Sequence, residues 1–385
     1  MSKLKVRLST PTVNYKELNK IKKIFKNSWL GYGPNVLKFE NAWSKYFRVK
    51  HSIGVNSCTA ALHLSLAVNN FKKNKKVLVP AMTFSASAAS ILYCGLTPVF
   101  VDVNPKTLVM SFEDLKKKYT KDCVAIIAVH FNGQPCEMEK IVPWAKKNNL
   151  TVIEDCAQTC GGEYKGKKLG TWGDFGCFSF QEIKIMTTGG DGGMITTNKS
   201  KYVRDLKTLS YHGWDQDPWE RHKKSLANKK KLKHWNYSIT KLGFKYNMTD
   251  LMASIGMEQL KKLNNFNRSR EKIIKSYIKS LKDCKNFSPA FPYKFQKSSY
   301  WMFALRCKKR DELISYLKSK GISTTVYIKP LPLHPLYKKY KDKIKNSLRI
   351  WKNLVTIPTY PNMKNSQLLY VIKHLKYFDK NYPSI

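Results

Sequence analysis

The sequence predicts an α/β protein in two parts: a large domain on a mainly parallel sheet, residues 1–262, and a smaller C-terminal α/β domain, residues 263–385. Three observations predict it. Short apolar runs alternate with helix-like runs through the first two-thirds of the chain, the βαβα order of a parallel sheet covered by helices on both faces. The runs Val124–Val129 and Val77–Val79 are apolar at every position, as strands buried on both faces must be. At 385 residues the chain is long enough for one large core and a second, smaller one.

The elements follow in order. An amphipathic helix with Leu18, Ile21 and Phe25 on one stripe comes first, then the turn Gly31-Tyr32-Gly33-Pro34 and a second helix with Phe39, Trp43 and Phe47 aligned. Strand His51–Ser57 leads to helix Thr59–Asn70, strand Lys76–Ala81 to helix Ser85–Cys94, and then comes strand Thr97–Val103. Strand Cys123–His130, helix Glu137–Asn148 and strand Leu150–Asp155 continue the alternation, and Gly176–Phe180 and Met194–Thr197 add strands to the same sheet. Asp215–Trp235, rich in Lys, Trp and His with little periodicity, reads as a long surface loop or flap. From Thr249 a helical pattern runs towards Leu281, with a break expected at Asn264 and the domain boundary near residue 262. Ser299–Ile385 holds two short strands and about three helices.

Composition bounds the function. A hydrophobic content of 42% with 12% aromatic residues is that of a globular protein, and no apolar run approaches the ~18 residues that span a bilayer. The start, Met1 to Pro11, has no apolar core of signal-peptide length, so the expected location is the cytoplasm and no membrane partner is expected. The nine cysteines are scattered without a Cys-x-x-Cys pair, which predicts reduced, buried thiols and no metal. A net charge of +44 invites a nucleic-acid reading, but only nine of the 70 basic residues are arginine and the lysines are dispersed. Sequence-specific readers concentrate arginine and aromatics on one face, so no specific nucleic acid is expected, only weak and salt-sensitive attraction to polyanions.

The chemistry centres on Lys184. It follows the apolar run Phe178-Ser179-Phe180 and precedes Thr187-Thr188-Gly189-Gly190-Asp191-Gly192-Gly193; some thirty residues upstream, Asp155 closes the strand Thr151–Glu154. A lysine amine forms a Schiff base with an aldehyde cofactor, while a carboxylate keeps a basic ring nitrogen protonated, which is the logic of pyridoxal phosphate. The carboxyl ends of parallel strands are where α/β sheets place ligands, although Asp155 also suits a helix cap. The glycines let the backbone turn sharply beside a planar group, and a simple hairpin would use them equally. They are no P-loop, since no Gly-Lys-Ser/Thr closes the pattern. Asn56-Ser57-Cys58-Thr59-Ala60 ends a strand and opens a helix, where a hydroxyl and free N–H groups bind phosphate; Thr59 serves as well as a plain N-cap. Phe84, after Pro80-Ala81-Met82-Thr83, is either core or the face against a flat ring.

These segments together resemble the DegT/StrS-type nucleotide-sugar aminotransferases, of the pyridoxal-phosphate fold type I, over nearly the whole chain. The family-like segments are Gly31–Pro34, Asn56–Leu62, Pro80–Phe84, Gly95 through Val99–Val103, His130–Gln134, Ile153–Gln158, Phe178–Lys184, Gly243–Asp250 and Pro332-Leu333-His334. The resemblance implies an aspartate-aminotransferase-like fold and pyridoxal 5′-phosphate as cofactor. It implies that Lys184 forms the Schiff base and shuttles protons, that Asp155 pairs with the ring nitrogen, that Phe84 stacks on the ring and that Gln158 lies near its phenolic oxygen. Thr59, the Ala60 N–H and Ser179 would hold the phosphate, and Asn247 would reach it from the other subunit of a homodimer with shared active sites. Tyr32 and His334 would lie near the sugar nucleotide. Two departures stand out. Cys58 occupies a position where the family usually has glycine, so the turn must avoid a positive φ there or carry strain, and the run after Lys184 has one glycine more than the usual spacing.

The expected activity is transfer of an amino group from glutamate to a nucleotide-linked keto-deoxysugar for cell-surface polysaccharide. Position 4 of a 6-deoxyhexose is preferred because Gly243-Phe244-Lys245-Tyr246-Asn247 resembles that branch. A 3-aminotransferase or a sugar dehydratase on the same fold is the enzymatic rival, and a regulatory or nucleic-acid-binding protein the distant one. The basic stretch Arg221 to Lys233 either gathers the diphosphate of the sugar nucleotide or is a solvated loop.

Overall fold

In the computed structural model, which describes residues 4–26, 29–227, 237–294, 299–340 and 342–382, the strand Cys123–Val129 shows why the central runs are apolar throughout. The chain runs α1 (Tyr15–Lys26), α2 (Pro34–Phe47), β1 (His51–Val55), α3 (Cys58–Ala67), β2 (Lys76–Pro80), α4 (Ser85–Tyr93), β3 (Thr97–Val101), α5 (Phe112–Lys118) and β4 (Cys123–Val129). It continues through α6 (Met138–Lys147), β5 (Thr151–Asp155), the small hairpin β6 (Glu163–Tyr164) and β7 (Lys167–Lys168), β8 (Phe175–Ser179), β9 (Gly193–Thr197), α7 (Val203–Ser210) and α8 (Pro218–Ala227). Then come α9 (Asp250–Leu281), β10 (Phe287–Pro289), β11 (Phe303–Cys307), α10 (Arg310–Ser319), α11 (Lys345–Asn353), β12 (Leu354–Ile357) and α12 (Asn365–Asn381).

The main sheet has seven strands in the order β1-β9-β8-β5-β4-β2-β3, all parallel except β9. On β4, Ile126 and Ala128 turn into one core with Met138, Ile141 and Ala145 of α6, while Ala125, Ile127 and Val129 turn into another with α3 and α4. Each fully buried Ile or Val there contributes about 1.5–3 kcal/mol. The parallel strands all end at the same edge, and that edge carries the site. A three-stranded antiparallel sheet, β10-β11-β12, belongs to the C-terminal part.

The structure departs from the sequence reading at four places. Asn264 does not break α9, which runs unbroken for 32 residues; Asn264 accepts a bond from the Tyr46 hydroxyl at 2.6 Å, and an asparagine inside a helix costs well under ~1 kcal/mol against the burial of Leu263, Phe266, Ile274 and Tyr277. The stretch Asp215–Trp235 is not all loop, because α8 occupies Pro218–Ala227. Its start was marked: Asp217 Oδ1 accepts the Glu220 N–H at 2.7 Å, with proline at the first helical position and glutamate at the third. Lys229, Lys230, Lys231 and Lys233 lie outside the described residues. The helices α5 and α7 had no counterpart in the sequence reading. The segment around Val6 joins the C-terminal part, bridging Ile322 in parallel. We propose the division near residue 262, which falls inside α9, with this early segment assigned to the smaller part.

One side chain joins α2 and α9. Gly33, the N-cap of α2, has no side chain to satisfy the first N–H groups of that helix. Asp250, fully buried at the first turn of α9, does so instead: its carboxylate accepts from Asn35 N at 3.1 Å, Asn35 Nδ2 at 2.8 Å and Val36 N at 3.0 Å. An anion at a helix N-terminus meets both unpaired donors and the positive end of the dipole. Asp250→Ala strands these donors and should lower stability by about 2–3 kcal/mol, seen as a lower urea midpoint at unchanged slope; Asp250→Asn should lose less.

Candidate active site

The site is assembled from the C-terminal ends of β1, β2, β5 and β8 around a cavity of about 380 Å³, within the range of small-molecule sites. Asp155, the last residue of β5, is buried in its wall. Ser87 Oγ donates to its Oδ2 at 2.7 Å and Ala157 N to its Oδ1 at 3.1 Å. Thr83 Oγ1 lies 2.7 Å from Ser87 Oγ and, since the Ser87 proton goes to Asp155, donates to it. The Cys58 thiol makes a long contact of 4.0 Å with Oδ1, and burial pushes that thiol well up, so it stays a neutral donor. Burial likewise pushes the Asp155 carboxyl above its ordinary range, against the pull of Ser87, the Ala157 N–H and the charges of Lys184 and His130.

Glu154, one residue earlier, points to the opposite face and accepts from the N–H groups of Gly170, Trp172 and Gly173 at 2.7–2.9 Å. His130 Nε2 lies 3.0 Å from it, and because His130 Nδ1 accepts from Cys136 N the Nε2 proton is donated to Glu154. His130, Glu154 and Cys156 offer ligand-type atoms within 4.8 Å of one another, but the imidazole and the carboxylate are engaged in supporting the loop after β7.

Lys184 reaches the cavity from the turn after β8, which is closed by Lys184 N to Gln181 O at 2.9 Å. Burial pulls its amine down to about 8, opposed chiefly by the charge of Asp155. The glycine run after it folds back on the sheet: Gly192 has φ +141°, and a Cβ on Gly193 would meet the Ser57 carbonyl carbon at 2.5 Å. That close approach seats Ser179, paired with Gly193, beside the N-terminus of α3.

Most of the sequence-derived candidates converge. Lys184, Asp155, Thr59, Phe84, Gln158 and Ser179 all line the cavity. Phe84 is 58% exposed, which rules out the core alternative and leaves a ring face open to a flat ligand. Thr59 is not the N-cap of α3; Ser57 is, accepting the Ala60 N–H at 3.1 Å. The Ala60 N–H therefore already has a partner, and Ala60 does not line the cavity. Cys58 sits inside the helix without a positive φ, so no strain attends it. Gln158 is fixed at both ends, accepting from Asn132 N at 2.6 Å and donating to the Tyr327 hydroxyl at 2.9 Å. Besides Ala60, three candidates stand apart from the lining. Asn247 bridges Val55, its Oδ1 buried without a partner. Tyr32 is buried with its hydroxyl likewise unpaired. His334 lies in the segment that Leu331 N anchors to Ala81 O. The residues missed by the sequence reading are Ser57, Ser87, Trp301 and Tyr327. Only Ser57 had a signal, as a hydroxyl at the first turn of a helix.

A flat ring bearing an aldehyde, a basic nitrogen and a phosphate fits what is present: an amine, a buried carboxylate short of a countercharge, an open phenyl face, and hydroxyls of Ser57, Thr59 and Ser179 at a helix N-terminus. Fold and cavity together place the protein in the class of pyridoxal-phosphate-dependent aminotransferases of fold type I. The chain belongs to the DegT/DnrJ/EryC1/StrS aminotransferase family, matching its model over residues 11–376. It is similar to the GDP-perosamine synthase of Escherichia coli O157:H7, 34% identical over 375 residues that cover 96% of this chain and 97% of that one. It is also similar to the spore coat polysaccharide biosynthesis protein SpsC of Bacillus subtilis, 31% identical over 379 residues and covering 96% and 95%. Spr1654 of Streptococcus pneumoniae, described as a sugar aminotransferase and solved in its PLP form, matches with a TM-score of 0.87 at 27% identity, covering 98% of this chain and 99% of that one.

The Ser87 bond favours ionised Asp155, so its loss should raise that carboxyl further. If the ionised form is the working one, activity falls as pH drops through this value. Ser87→Ala should therefore move the acid limb of kcat/KM upward by about one pH unit. An acid limb that stays in place would separate Ser87 from the function of Asp155.

Proposed function

We propose that the protein transfers the amino group of glutamate to the keto group of a nucleotide-linked 4-keto-6-deoxyhexose, giving an aminosugar for surface polysaccharide. The observation that carries the reading is the pair of enclosed groups on one cavity, the Lys184 amine and the Asp155 carboxylate. Bound pyridoxal phosphate supplies an aldehyde that exchanges an amino group and a ring that draws electrons from the reacting carbon.

The chain's own residues supply the rest. With its amine brought down to about 8, Lys184 has a useful fraction of free base near neutral pH. With the cofactor bound, the Lys184 amine would be the base that takes the proton from the donor's α-carbon, and in the second half of the reaction the same amine would deliver a proton to the sugar carbon that bears the new nitrogen. Asp155 holds the negative charge that keeps the ring nitrogen protonated, in a site of low dielectric where that charge acts strongly. Phe84 would give the ring a flat apolar face, Gln158 would offer a fixed amide near its phenolic oxygen, and Thr59, Ser57 and Ser179 would hold the phosphate with the N-terminus of α3.

The substrate class is supported by the likeness to a relative named for making GDP-linked perosamine. A use in surface polysaccharide is supported by the likeness to SpsC. We further propose a homodimer in which Asn247 completes the partner's phosphate site and Tyr32 and His334 meet the sugar nucleotide. The exposed Ile239 and Leu242, 69% and 91% accessible beside Asn247 in the chain, support such an interface. Among the described residues no helix is long and apolar enough to cross a membrane, in keeping with the proposed place in the cytoplasm.

The test is incubation with glutamate and a panel of nucleotide ketosugars, reading which carbon of the product bears the amine. Amination at position 3 alone would replace the proposed position 4. Lys184→Ala should lose the yellow colour of the covalent link and all turnover; a variant turning over near the wild-type rate would remove Lys184 from its role. Asp155→Asn should keep part of the bound cofactor yet lose about 10²–10⁴-fold in kcat, and unchanged kcat would falsify the part given to Asp155.

A further inference from the structure

Trp301 lines the same cavity from the C-terminal part of the chain, and the Lys184 Nζ lies 3.9 Å from the centroid of its indole. No carboxylate pairs directly with that amine among the described residues; Asp155 acts on it at longer range. The indole is 2% exposed and fixed on several sides. Its Nε1 donates to Ile183 O at 2.7 Å, and Tyr327 packs against it edge-on with centroids 5.0 Å apart. The buried Arg270 of α9 donates through Nε to Trp301 O at 3.3 Å and through Nη2 to Lys184 O at 3.4 Å. One guanidinium thus spans the backbone of the lysine and of the ring it faces.

A lysine that gives up its bond to a cofactor needs somewhere close for its amine to wait. A carboxylate in contact would hold the ammonium firmly and hold it protonated. An indole face attracts the cation through its quadrupole but has no lone pair to keep the proton. We propose that Trp301 is the positioning residue for the Lys184 amine, holding the freed ammonium at the cavity wall while leaving its proton mobile. This rests on the reading that Lys184 is the cofactor-linked, proton-moving lysine.

The ring favours the charged amine, so its removal should make the amine easier to deprotonate. The groups that face Lys184 are Asp155 from β5, Cys58 from α3, Asp191 from the glycine run and Tyr327, with Arg270 on its carbonyl. All remain in a Trp301 variant, and any water a smaller side chain admits would raise the amine by relieving its burial, so a fall reports the ring. The experiment is acetylation of the cofactor-free full chain with acetic anhydride across pH, following the Lys184 peptide by mass spectrometry against surface lysines. In Trp301→Leu the inflection should fall by about 0.5–1.5 pH units, and in Trp301→Phe, which keeps a weaker π face, by less. If Trp301→Leu does not fold, a fall in Trp301→Phe alone supports the proposal. Folded variants that titrate with the wild type overturn it. Borohydride reduction of the cofactor-loaded wild type, followed by peptide mapping, separates the two claims. A label elsewhere than Lys184 sinks the underlying reading and the proposal with it, whereas a label on Lys184 with no shift sinks only the role of Trp301.

Discussion

Everything at the strand ends is arranged around a carboxylate placed where a carboxylate is costly. Asp155 is enclosed with two good hydrogen bonds and a weak thiol contact, and no Lys or Arg pairs with it directly among the described residues. A buried charge of this kind costs several kcal/mol unless another charge answers it. The protein leaves that answer incomplete, so the site favours a ligand that brings positive charge to this spot. The same low dielectric that makes Asp155 expensive draws down the Lys184 amine. One burial therefore shapes both groups, in opposite directions.

The rest of the architecture keeps those two groups at a fixed separation. Asp155 rides on a central strand whose neighbours are buried on both faces, while Lys184 sits on an irregular turn that needs outside support. That support comes from α9. Its first turn caps α2 through Asp250, and five turns later Arg270 reaches the lysine's carbonyl. A single rigid rod thus connects the helix layer of the large part, the turn that carries Lys184 and the C-terminal sheet.

The strands, the parallel sheet and the large helices were legible because their patterns are local: apolar runs of strand length, and helical stripes such as Phe39, Trp43 and Phe47. Asp155 and Lys184 were legible because each follows such a run at the edge where ligands bind. Three kinds of feature were not. The competition between Ser57 and Thr59 for the cap of α3 is decided by two residues of register, which composition does not resolve. The chain through Thr83 and Ser87 to Asp155 joins residues about seventy positions apart with no pattern to signal it. Trp301 and Tyr327 are brought to the cavity by long-range contacts, among them Asn132, at φ +54°, clasping Met302 and Gln158 binding Tyr327. Where the sequence reading erred on α8 the fault was different: the capping signal at Asp217 was present, but charge and aromatic content outweighed it.

The early segment around Val6 has a consequence in the order of synthesis. Its backbone partners are Gly321, Ser323 and, through Leu8, Thr359. These residues are translated more than three hundred positions later, which at ~5–20 residues per second leaves the segment waiting roughly 15–60 s on the ribosome. During that interval the backbone of Val6 lacks Gly321, Ile322 and Ser323 to pair with, while the parallel sheet is already able to form. One of the first pieces made is therefore among the last whose backbone can be paired.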